Sequence, residues 1–465
     1  MRRNYRYGRR RKNRTSLWLF FFLIVAIGAG AGYLYLSPKF ERIPPRVDLP
    51  SKLYWGPGKV IHIHLEDNQG LGNYEAILSD GKKRLVVASG DFPSPVKTTD
   101  LAITLPVNSG LDAKKKRWKL RVRVRDRSFW NLGRGNGTQA ESTVWIDTRP
   151  PEVQIISYSP SIVRGGSALV IFKAKDPNLK KVYIQVGNKR FEVVPYRAKG
   201  YWAALIAWPF RQEKFQPRIV AIDLAGNQRT VNIPFEKIYK EYRVSRIGLK
   251  DRFLEGKIAE LAQEDANASG AQGKLARFKA VNEGMRRADE ELIHSKTARP
   301  TPVDFSRWRP RAFYPLKSAK RVADFGDERH YYYRDKNREV SRSYHLGYDL
   351  ASVRHALIVS SNPATVVYAG YNGIYGNMPI LDHGFGLYTL YGHCSQILVR
   401  EGEHVTAGQT IAKTGKTGLA LGDHLHFGIL VQGVEVLPMD WMKQNWINSH
   451  IVRVMERADR VVGKR

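Results

Sequence analysis

The chain has 465 residues, with 76 Lys and Arg against 43 Asp and Glu, and its only cysteine is Cys394. This length exceeds one ordinary domain, and a single cysteine excludes an intramolecular disulfide. The formal net charge of +33 requires an anionic environment or partner, for which nucleic acid, acidic phospholipid and an anionic cell-wall polymer all qualify.

The N-terminus has the pattern of a transmembrane signal anchor. Residues 17–36 carry no charge and form an apolar run of about the 20 residues that a helix needs to cross a membrane. A cleaved signal peptide is the alternative, but the apolar run continues past the small residues at 29–32 to Leu36. The basic excess on the N-terminal side places the tail, residues 1–16, in the cytoplasm and the rest of the chain outside. The basic residues of this tail are Arg2, Arg3, Arg6, Arg9, Arg10, Arg11, Lys12 and Arg14.

Two β-rich modules follow a proline-rich linker at 37–51. Alternating apolar and polar residues, as in "WKLRVRVRD" and "RIVAIDLAGN", predict half-buried strands, which gives β-sandwich modules at 52–148 and 149–236. The phrases "DTRPPEV" and "AIDLAGN" resemble strands of bacterial immunoglobulin-like domains. A faint repeat also relates the two modules: Val122, Val124, Asp126 and Asn131 echo Val220, Ile222, Asp223 and Asn227.

The pattern then changes to helical spacing. The stretches "FLEGKIAELAQED" and "KLARFKAVNEGMRRADEELI", with a break at 268–270, predict a helical hairpin or linker over 237–300. Glycine-punctuated short strands return in a C-terminal domain at 301–445, and residues 446–465 are predicted to form a basic helix or tail. The predicted fold is therefore multidomain and mostly β, with one N-terminal transmembrane helix.

Two residue pairs in the C-terminal domain are candidates for a metal site. His424 and His426 in "GDHLHFGI" are two apart, and His345 and Asp349 in "YHLGYDLA" are four apart, so each pair shares one face of a strand. Catalytic zinc typically takes three ligands from His and carboxylate and leaves one position for water. His345, Asp349 and one of His424 or His426 would make that set, and the remaining histidine with His393 could move protons.

Each pair taken alone is weak evidence, because a His-x-His on a strand also occurs on an ordinary polar face. His62 and His64 in "VIHIHLED" have the same spacing without a His-x-x-x-Asp, so we expect them on a solvent face. Cys394 follows His393 directly, and adjacent strand residues face opposite ways. Buried packing is therefore expected for Cys394 rather than a Cys/His nucleophile pair.

The stretches "HLGYDLA", "LYTLYGHCS" and "VREGEHVTAGQTIAKTGKTGLALGDHLHFGI" resemble, in order and spacing, the core of the lysostaphin-type (LytM-type) zinc metalloendopeptidases. These murein hydrolases cut peptide cross-links of peptidoglycan. The resemblance covers roughly residues 315–440 and includes the turn "DFGDER". It implies an antiparallel-β peptidase domain with one Zn²⁺ ion bound by His345, Asp349 and His426, and with His393 and His424 as catalytic histidines.

Two positions depart from the family pattern. Asp423 stands where the family commonly has proline, and Gly428 stands where it commonly has glutamate. Neither position is a metal ligand, so we expect altered local packing or charge rather than lost zinc.

These observations predict a single-pass protein of the bacterial cytoplasmic membrane, with a peptidoglycan endopeptidase domain in the periplasm or extracellular space. Its expected partners are peptidoglycan peptides and the membrane, and envelope or division proteins are further candidates for the β-sandwich and helical segments. An alternative is a catalytically silent family member that acts as a wall-binding scaffold or activates other hydrolases. No nucleic acid is expected as a partner, because a role in membrane orientation already explains the basic tail.

Overall fold

The computed structural model describes residues 14–106 and 117–463. Most of the basic tail predicted for residues 1–16 therefore lies outside the described residues. The chain divides into two compact units, residues 1–149 with 224–227, and residues 150–223 with 228–465. The fold is mostly β, with one apolar helix near the N-terminus.

The N-terminal helix is long and apolar enough to cross a membrane. Helix α1, Arg14–Leu36, contains a span of 22 residues, Thr15–Leu36, with none of its most apolar window buried in the protein. A signal sequence would pass the same test of length and composition. The helix ends before a short 3₁₀ turn at Pro38–Phe40, whose Ser37 side chain accepts a hydrogen bond from the Lys39 N–H.

The first β-module is built around one six-stranded sheet with the strand order β1-β3-β5-β6-β2, in which β4 also pairs with β3. Burial alternates along β5, where Trp118, Leu120 and Val122 face the core between exposed basic residues. The strand therefore has one buried and one exposed face, as its alternating sequence predicts. The elements are β1 Arg46–Asp48, β2 Lys52–Trp55, β3 Val60–Ser79, β4 Arg84–Thr104, β5 Arg117–Asp126, α2 Trp130–Gly133 and β6 Gly137–Ile146.

The second β-module contains two four-stranded antiparallel sheets, ordered β11-β10-β14-β15 and β12-β13-β9-β7. Phe172 of β9 and Ile184 of β10 belong to one hydrophobic core. The immunoglobulin-like character of both modules remains a prediction. The strands are β7 Glu152–Tyr158, β8 Ser161–Val163, β9 Ser167–Lys175, β10 Leu179–Val186, β11 Lys189–Glu192, β12 Val194–Pro195, β13 Tyr201–Ala207, β14 Arg218–Asp223 and β15 Gln228–Asn232.

A mainly helical segment separates this module from the C-terminal domain. Two short strands come first, and the second of them, β17, joins a sheet of the C-terminal domain. We refer to residues 251–297 as the helical segment. The elements are β16 Glu236–Ile238, β17 Val244–Gly248, α3 Asp251–Glu255, α4 Lys257–Ala262, α5 Ala266–Ser269, α6 Lys274–Lys279, a π-helical turn Ala280–Met285, and α7 Arg286–Thr297.

The C-terminal domain is organised around an eight-stranded sheet with the order β18-β21-β29-β25-β24-β23-β27, in which β30 pairs with β29. All seven residues of β29 are buried, as expected for a strand that is covered on both faces. The strands are β18 Lys320–Ala323, β19 Glu328–Tyr332, β20 Glu339–Tyr344, β21 Tyr348–Ala351, β22 Leu357–Val359, β23 Ala364–Tyr371, β24 Asn377–Asp382, β25 Leu387–Gly392, β26 Gln396–Ile397, β27 His404–Val405, β28 Thr410–Lys413, β29 Leu425–Val431 and β30 Val434–Val436.

The chain ends in helices that pack against the second β-module. Buried side chains of α10, among them Val454 and Met455, lie against strands β7 and β9. The contact explains why β9 is buried at six consecutive positions, Ser167 to Phe172, instead of alternating. The C-terminal helical elements are α8 Pro438–Trp441, α9 Gln444–Ile447, a π-helical turn Asn448–Val452, and α10 Arg453–Val462. The C-terminal domain also contains a 3₁₀ turn, Gly373–Tyr375, between β23 and β24.

Polar contacts reinforce the packing of the C-terminal domain on the second β-module. The Tyr196 hydroxyl donates to Asp459 at 2.6 Å, and the Arg197 guanidinium donates to both oxygens of the same carboxylate at 2.9 and 2.8 Å. The buried Gln432 amide donates to the Glu192 and Leu205 carbonyls and accepts from the Glu192 N–H. The module and the domain therefore form one continuous structure within this unit.

Candidate active site

Strand register brings the two predicted residue pairs together. Strands β21 and β29 are antiparallel, and Asp349 lies directly opposite His426. Strand β25 flanks β29 on the other side, where Gly392 lies opposite His426, so His393 follows at the edge of the same site. Cross-strand neighbours on one face have side chains close enough to interact.

His345, Asp349 and His426 converge on one point. The Nε2 atom of His345 is 2.9 Å from Asp349 Oδ1 and 3.1 Å from His426 Nδ1, and His426 Nδ1 is 3.0 Å from Asp349 Oδ1. These three atoms form a nearly equilateral triangle, which leaves a point about 2 Å from all three, the usual bond length of zinc to nitrogen and oxygen. Two imidazole nitrogens and a carboxylate directed at one another are a donor set that suits a zinc ion.

The other side of His345 is held by backbone contacts. Its Nδ1 atom lies 2.8 Å from the Asp324 carbonyl oxygen, so Nδ1–H donates there and Nε2 keeps a lone pair toward the cluster. The Gly326 N–H donates to the His345 carbonyl. Gly326 has φ +81°, and a Cβ atom there would lie 2.2 Å from the Tyr242 ring. This explains the glycine in the predicted turn "DFGDER".

His393 and His424 lie beside the cluster with their rings close together. Their ring centroids are 4.8 Å apart. His393 Nδ1 lies 2.9 Å from the Thr417 carbonyl and His424 Nδ1 lies 2.9 Å from the Gly422 carbonyl. Both Nδ1–H groups donate to the backbone, so in each ring Nε2 is the atom that can exchange a proton, and His424 Nε2 lies 3.6 Å from Asp349 Oδ1. His393 has φ +64°, a left-handed conformation that turns the chain at the end of β25.

The electrostatics of the five residues are unequal. Burial would raise the pKa of Asp349, but the charges and hydrogen bonds of the surrounding histidines hold it well below its usual range. Burial lowers the pKa of His426 to about 4 and that of His393 to about 3. Burial also lowers the pKa of His424, but the Asp349 carboxylate reverses the shift and raises it. The site therefore favours neutral imidazoles at His393 and His426 and an ionised carboxylate.

The five residues line a cleft of about 1390 Å³. One wall comes from residues 247–260, which include the end of β17 and the start of the helical segment, and the other comes from the loop at 416–424. Lys250, Arg252 and Lys416 lie on these walls, and within the described part of the chain none of them has an ion-pair or hydrogen-bond partner for its side chain. The cleft thus combines a donor cluster for metal with cationic side chains on its walls.

Two residues that the sequence analysis did not single out support the site. The Tyr375 ring packs edge-on against His426 with centroids 5.5 Å apart, and its carbonyl accepts from the His393 N–H at 2.7 Å. Asp289 of α7 accepts from the Ile374 N–H at 2.7 Å and so fixes the turn that carries Tyr375. The glycine-flanked "GIYGN" hints at this turn, but no local pattern connects it to Asp289.

Of the two departures from the family pattern, Asp423 has a local explanation. Asp423 accepts from the Thr414 hydroxyl at 2.5 Å and from the His355 N–H at 3.3 Å, so its carboxylate holds the loop before His424. Gly428 lies opposite Leu390, and a Cβ atom there would make only an ordinary van der Waals contact with the Leu390 side chain at 3.5 Å, so nothing in the structure explains this glycine. Neither position disturbs the donor cluster.

His62, His64 and Cys394, for which no catalytic or metal-binding role is predicted, do not contribute to the site. His62 and His64 are exposed on β3, between buried Ile63 and Leu65, as expected for a solvent face. Cys394 is buried, and burial raises the pKa of its thiol to about 12, so it is not a thiolate nucleophile.

The C-terminal domain matches a known protein family. Residues 343–438 match the family model of Peptidase family M23, and the C-terminal part of this chain is a Peptidase family M23 domain.

Individual proteins are similar to part of this chain. Peptidoglycan DD-endopeptidase ShyA of Vibrio cholerae is 34% identical over 150 residues, which cover 31% of this chain and 29% of that protein. Murein hydrolase activator NlpD of Escherichia coli is 38% identical over 100 residues, covering 21% and 26%. The catalytic domain of lysostaphin from Staphylococcus simulans aligns with 26% identity and a TM-score of 0.23 over 27% of this chain and 94% of that one. The alignments span about a third or less of the curated relatives.

Proposed function

We propose that this protein is a membrane-anchored zinc endopeptidase that hydrolyses peptide cross-links of peptidoglycan outside the cytoplasm. The observation that carries the proposal is the convergence of His345, Asp349 and His426 on one point, with His393 and His424 beside it in an open cleft. The relative ShyA, a peptidoglycan DD-endopeptidase, supports the choice of substrate.

In this proposal His345 Nε2, Asp349 Oδ1 and His426 Nδ1 are the zinc ligands. Zinc bound there would supply a Lewis acid for the scissile carbonyl and lower the pKa of water. His393 and His424 present Nε2 toward the cleft, one to accept a proton from the attacking water and the other to donate to the leaving amine. The carbonyl carbon gains a hydroxyl, the C–N bond breaks, and the amine nitrogen receives the proton.

The cleft walls support an acidic peptide as substrate. Lys250, Arg252 and Lys416 have no anionic partner among the described residues, and peptidoglycan peptides carry free carboxylates. A charge-assisted hydrogen bond to such a carboxylate is stronger than one between neutral groups. We propose that these cations orient the peptide across the site.

The rest of the chain would place the domain at the wall. We propose that residues 17–36 remain as a single-pass anchor in the cytoplasmic membrane, and that residues 1–16 stay in the cytoplasm. The β-modules at 52–148 and 149–236, with the segment at 237–300, would then set the distance from the membrane to the peptidase domain at 301–445. The closing residues 446–465 would complete the contact with the second module.

The decisive experiment incubates the purified full-length protein with purified peptidoglycan and identifies the released fragments by mass spectrometry. Released peptides cleaved at a cross-link, with one zinc ion per chain, are the expected result. Intact peptidoglycan in the presence of zinc-loaded protein would contradict the proposal. The fragment masses also identify which cross-link is cut.

A second candidate function is activation of another wall hydrolase, because murein hydrolase activators are among the relatives, at 37–38% identity. In that case the protein alone would release nothing, but would accelerate cleavage by a purified hydrolase. His393→Ala distinguishes the two, since it should stop endopeptidase activity and leave activation unchanged.

A further inference from the structure

A second cluster of acidic side chains lies in the first β-module, apart from the M23 domain. Glu41 lies between the 3₁₀ turn after α1 and strand β1, Asp67 lies within β3, and Asp126 ends β5. One carboxylate oxygen from each lies within 4.8 Å of one oxygen from each of the others. Asp67 and Asp126 are only 4% and 5% exposed.

Asp67 has one oxygen without a partner. Its Oδ2 accepts from the Gln69 N–H at 2.9 Å and from the Gly70 N–H at 2.6 Å. Its Oδ1 is buried and has no hydrogen-bond donor among the residues that the structure describes. A buried charged acceptor without a donor is destabilising, because it has lost its hydration without gaining a hydrogen bond. The other two carboxylates are close to Asp67, and while they are ionised they repel it.

The neighbours of this cluster do not neutralise it. Asp126 accepts from the Ser128 N–H at 3.0 Å and from the Asn136 N–H and side-chain amide at 2.8 and 2.7 Å. Glu41 accepts from the Ile43 N–H at 2.7 Å and from the Asn136 amide at 3.2 Å. All of these donors are neutral, and none of the ion pairs among the described residues involves the three carboxylates.

Protonation alone does not resolve the repulsion. Burial and the neighbouring Asp126 carboxylate raise the pKa of Glu41, so Glu41 is the group that would take a proton. A proton shared between Glu41 and Asp126 would still leave Asp67 Oδ1 without a donor. A divalent cation between the three groups would contact an oxygen of each.

We propose that Glu41, Asp67 and Asp126 bind a hard divalent cation, which we identify as Ca²⁺. The side-chain donors are all oxygens, which suits calcium or magnesium and not zinc or copper. Calcium accepts six to eight oxygens in irregular geometry, whereas magnesium demands near-ideal octahedral geometry. Three carboxylates from separate segments fit the more tolerant ion.

The backbone is shaped around the Asp126 carboxylate. A Cβ atom at Gly135, which has φ +74°, would lie 2.6 Å from Asp126 Oδ1, and one at Gly72 would lie 2.5 Å from the Asp126 carbonyl oxygen. Two glycines thus allow the chain to close tightly on this residue. The close packing holds the Asp126 carboxylate in place, and a residue larger than glycine at position 72 or 135 would clash with Asp126.

The ion would fix how the chain enters the first module after α1. The Lys39 carbonyl already accepts from the Phe129 N–H at 2.7 Å, and the Glu41 carbonyl accepts from Ser128 Oγ at 2.8 Å and from the Asn136 amide at 2.9 Å. A bound cation would add the Glu41 side chain to these contacts. Calcium would then stiffen the connection between α1 and the module.

The test measures calcium bound per chain in the full-length protein in detergent, by equilibrium dialysis at about 1 mM calcium, the range of extracellular calcium modules. The readout is the difference between wild type and variant, because other acidic groups could also bind calcium. We expect Asp67→Asn and Asp126→Asn each to bind one calcium ion fewer. Glu66→Gln is the matched control, since it removes the same charge from an exposed neighbour on β3, and should bind the wild-type number.

Thermal unfolding provides a second readout that separates lost binding from misfolding. Calcium should raise the melting temperature of the wild type and of Glu66→Gln. Asp67→Asn should melt at a higher temperature than wild type without calcium, because it relieves repulsion, and should show no calcium-dependent rise from this site. Equal calcium counts in wild type, Asp67→Asn and Asp126→Asn would overturn the proposal.

Discussion

At the scale of single residues, the pairing of Asp349 with His426 joins the two halves of the candidate zinc site. Local spacing places His345 near Asp349 and His424 near His426, and both pairs are visible in the sequence. Their convergence depends on the long-range register between β21 and β29, which only the resemblance to a known family predicted. The support from Tyr375 and Asp289 was not predictable, because those contacts join residues that are distant in sequence.

His345→Ala and His426→Ala are expected to abolish both zinc binding and peptidoglycan cleavage, because each removes one of three converging donor atoms. His393→Ala is expected to retain zinc and to reduce cleavage by about 10²–10⁴-fold, the usual contribution of a positioned acid or base. Zinc content by mass spectrometry and fragment release check both parts. His62→Ala is the control and should match wild type, and equal zinc loss in all three site variants would contradict the ligand assignment.

Asp440 makes the stability of its unit depend on pH. Its Oδ2 is buried and has no hydrogen-bond partner in the described part of the chain, and burial raises the pKa from 3.8 to about 7 against the opposing charges of Lys443 and Lys240. The protonated form is favoured in the folded state, so the stabilisation is complete below the unfolded pKa and is lost as the pH rises through about 7.

Asp440→Asn should therefore be more stable than wild type above about pH 7, by on the order of 1–3 kcal/mol, the penalty of an unsatisfied buried group. The difference should shrink steadily toward about pH 4. Melting temperatures measured across this pH range test the expectation. Glu456→Gln, which removes a charge from an exposed position on α10, should show no such trend.

At the scale of elements, helix α7 braces the turn at 373–375 beside the site. The Asp289 carboxylate accepts from the Ile374 N–H, and the Asn372 side chain donates to the Asp289 carbonyl at 3.2 Å. Helical spacing in the sequence predicted helices in this region. It could not predict that α7 contacts the turn, because an amphipathic pattern identifies a buried face without identifying its partner.

Asp289→Ala is expected to reduce cleavage about five- to tenfold while zinc content stays at the wild-type level. The reason is the loss of one hydrogen bond, worth about 1 kcal/mol, at the turn that positions Tyr375 and the His393 backbone. Asp289→Asn keeps an acceptor oxygen and should retain most of the activity. If the alanine variant lost zinc in proportion to activity, the turn would be supporting the metal ligands instead.

At the scale of the whole molecule, the mostly β composition, the apolar N-terminal helix and the C-terminal peptidase domain were all predictable from the sequence. Alternation predicts strands and the length of an apolar run predicts a membrane-spanning helix, because both patterns depend on a single segment. The peptidase domain was predictable because its motifs resemble a known family. The contact of α10 with β7 and β9 was not predictable, since α10 is basic overall and its apolar stripe is short. The unbroken apolar run Ala168 to Phe172 in β9 is the kind of local pattern that indicates a strand covered on both faces.

The Asp459 contacts test whether the second module and the peptidase domain unfold together. Asp459→Asn weakens the paired hydrogen bonds from Arg197 and the bond from Tyr196, and should destabilise this unit by about 1–2 kcal/mol. In denaturant unfolding of Asp459→Asn, activity and the tertiary-structure signal should both be lost at a lower denaturant concentration than in wild type, and by the same shift. Glu401→Gln, which breaks the exposed pair with Lys296, should change stability by less than about 1 kcal/mol, and separate shifts of the two signals would show independent unfolding.

The direct opposition of Asp349 and His426 across two strands has a consequence for how the protein matures. A slip of one residue between β21 and β29 would turn one of the two side chains to the opposite face, and the donor triangle would not form. On the proposed function, a chain in which this pairing has not formed would have no complete zinc site and would not cut the wall. Folding of the domain and the capacity to cut would then be a single event.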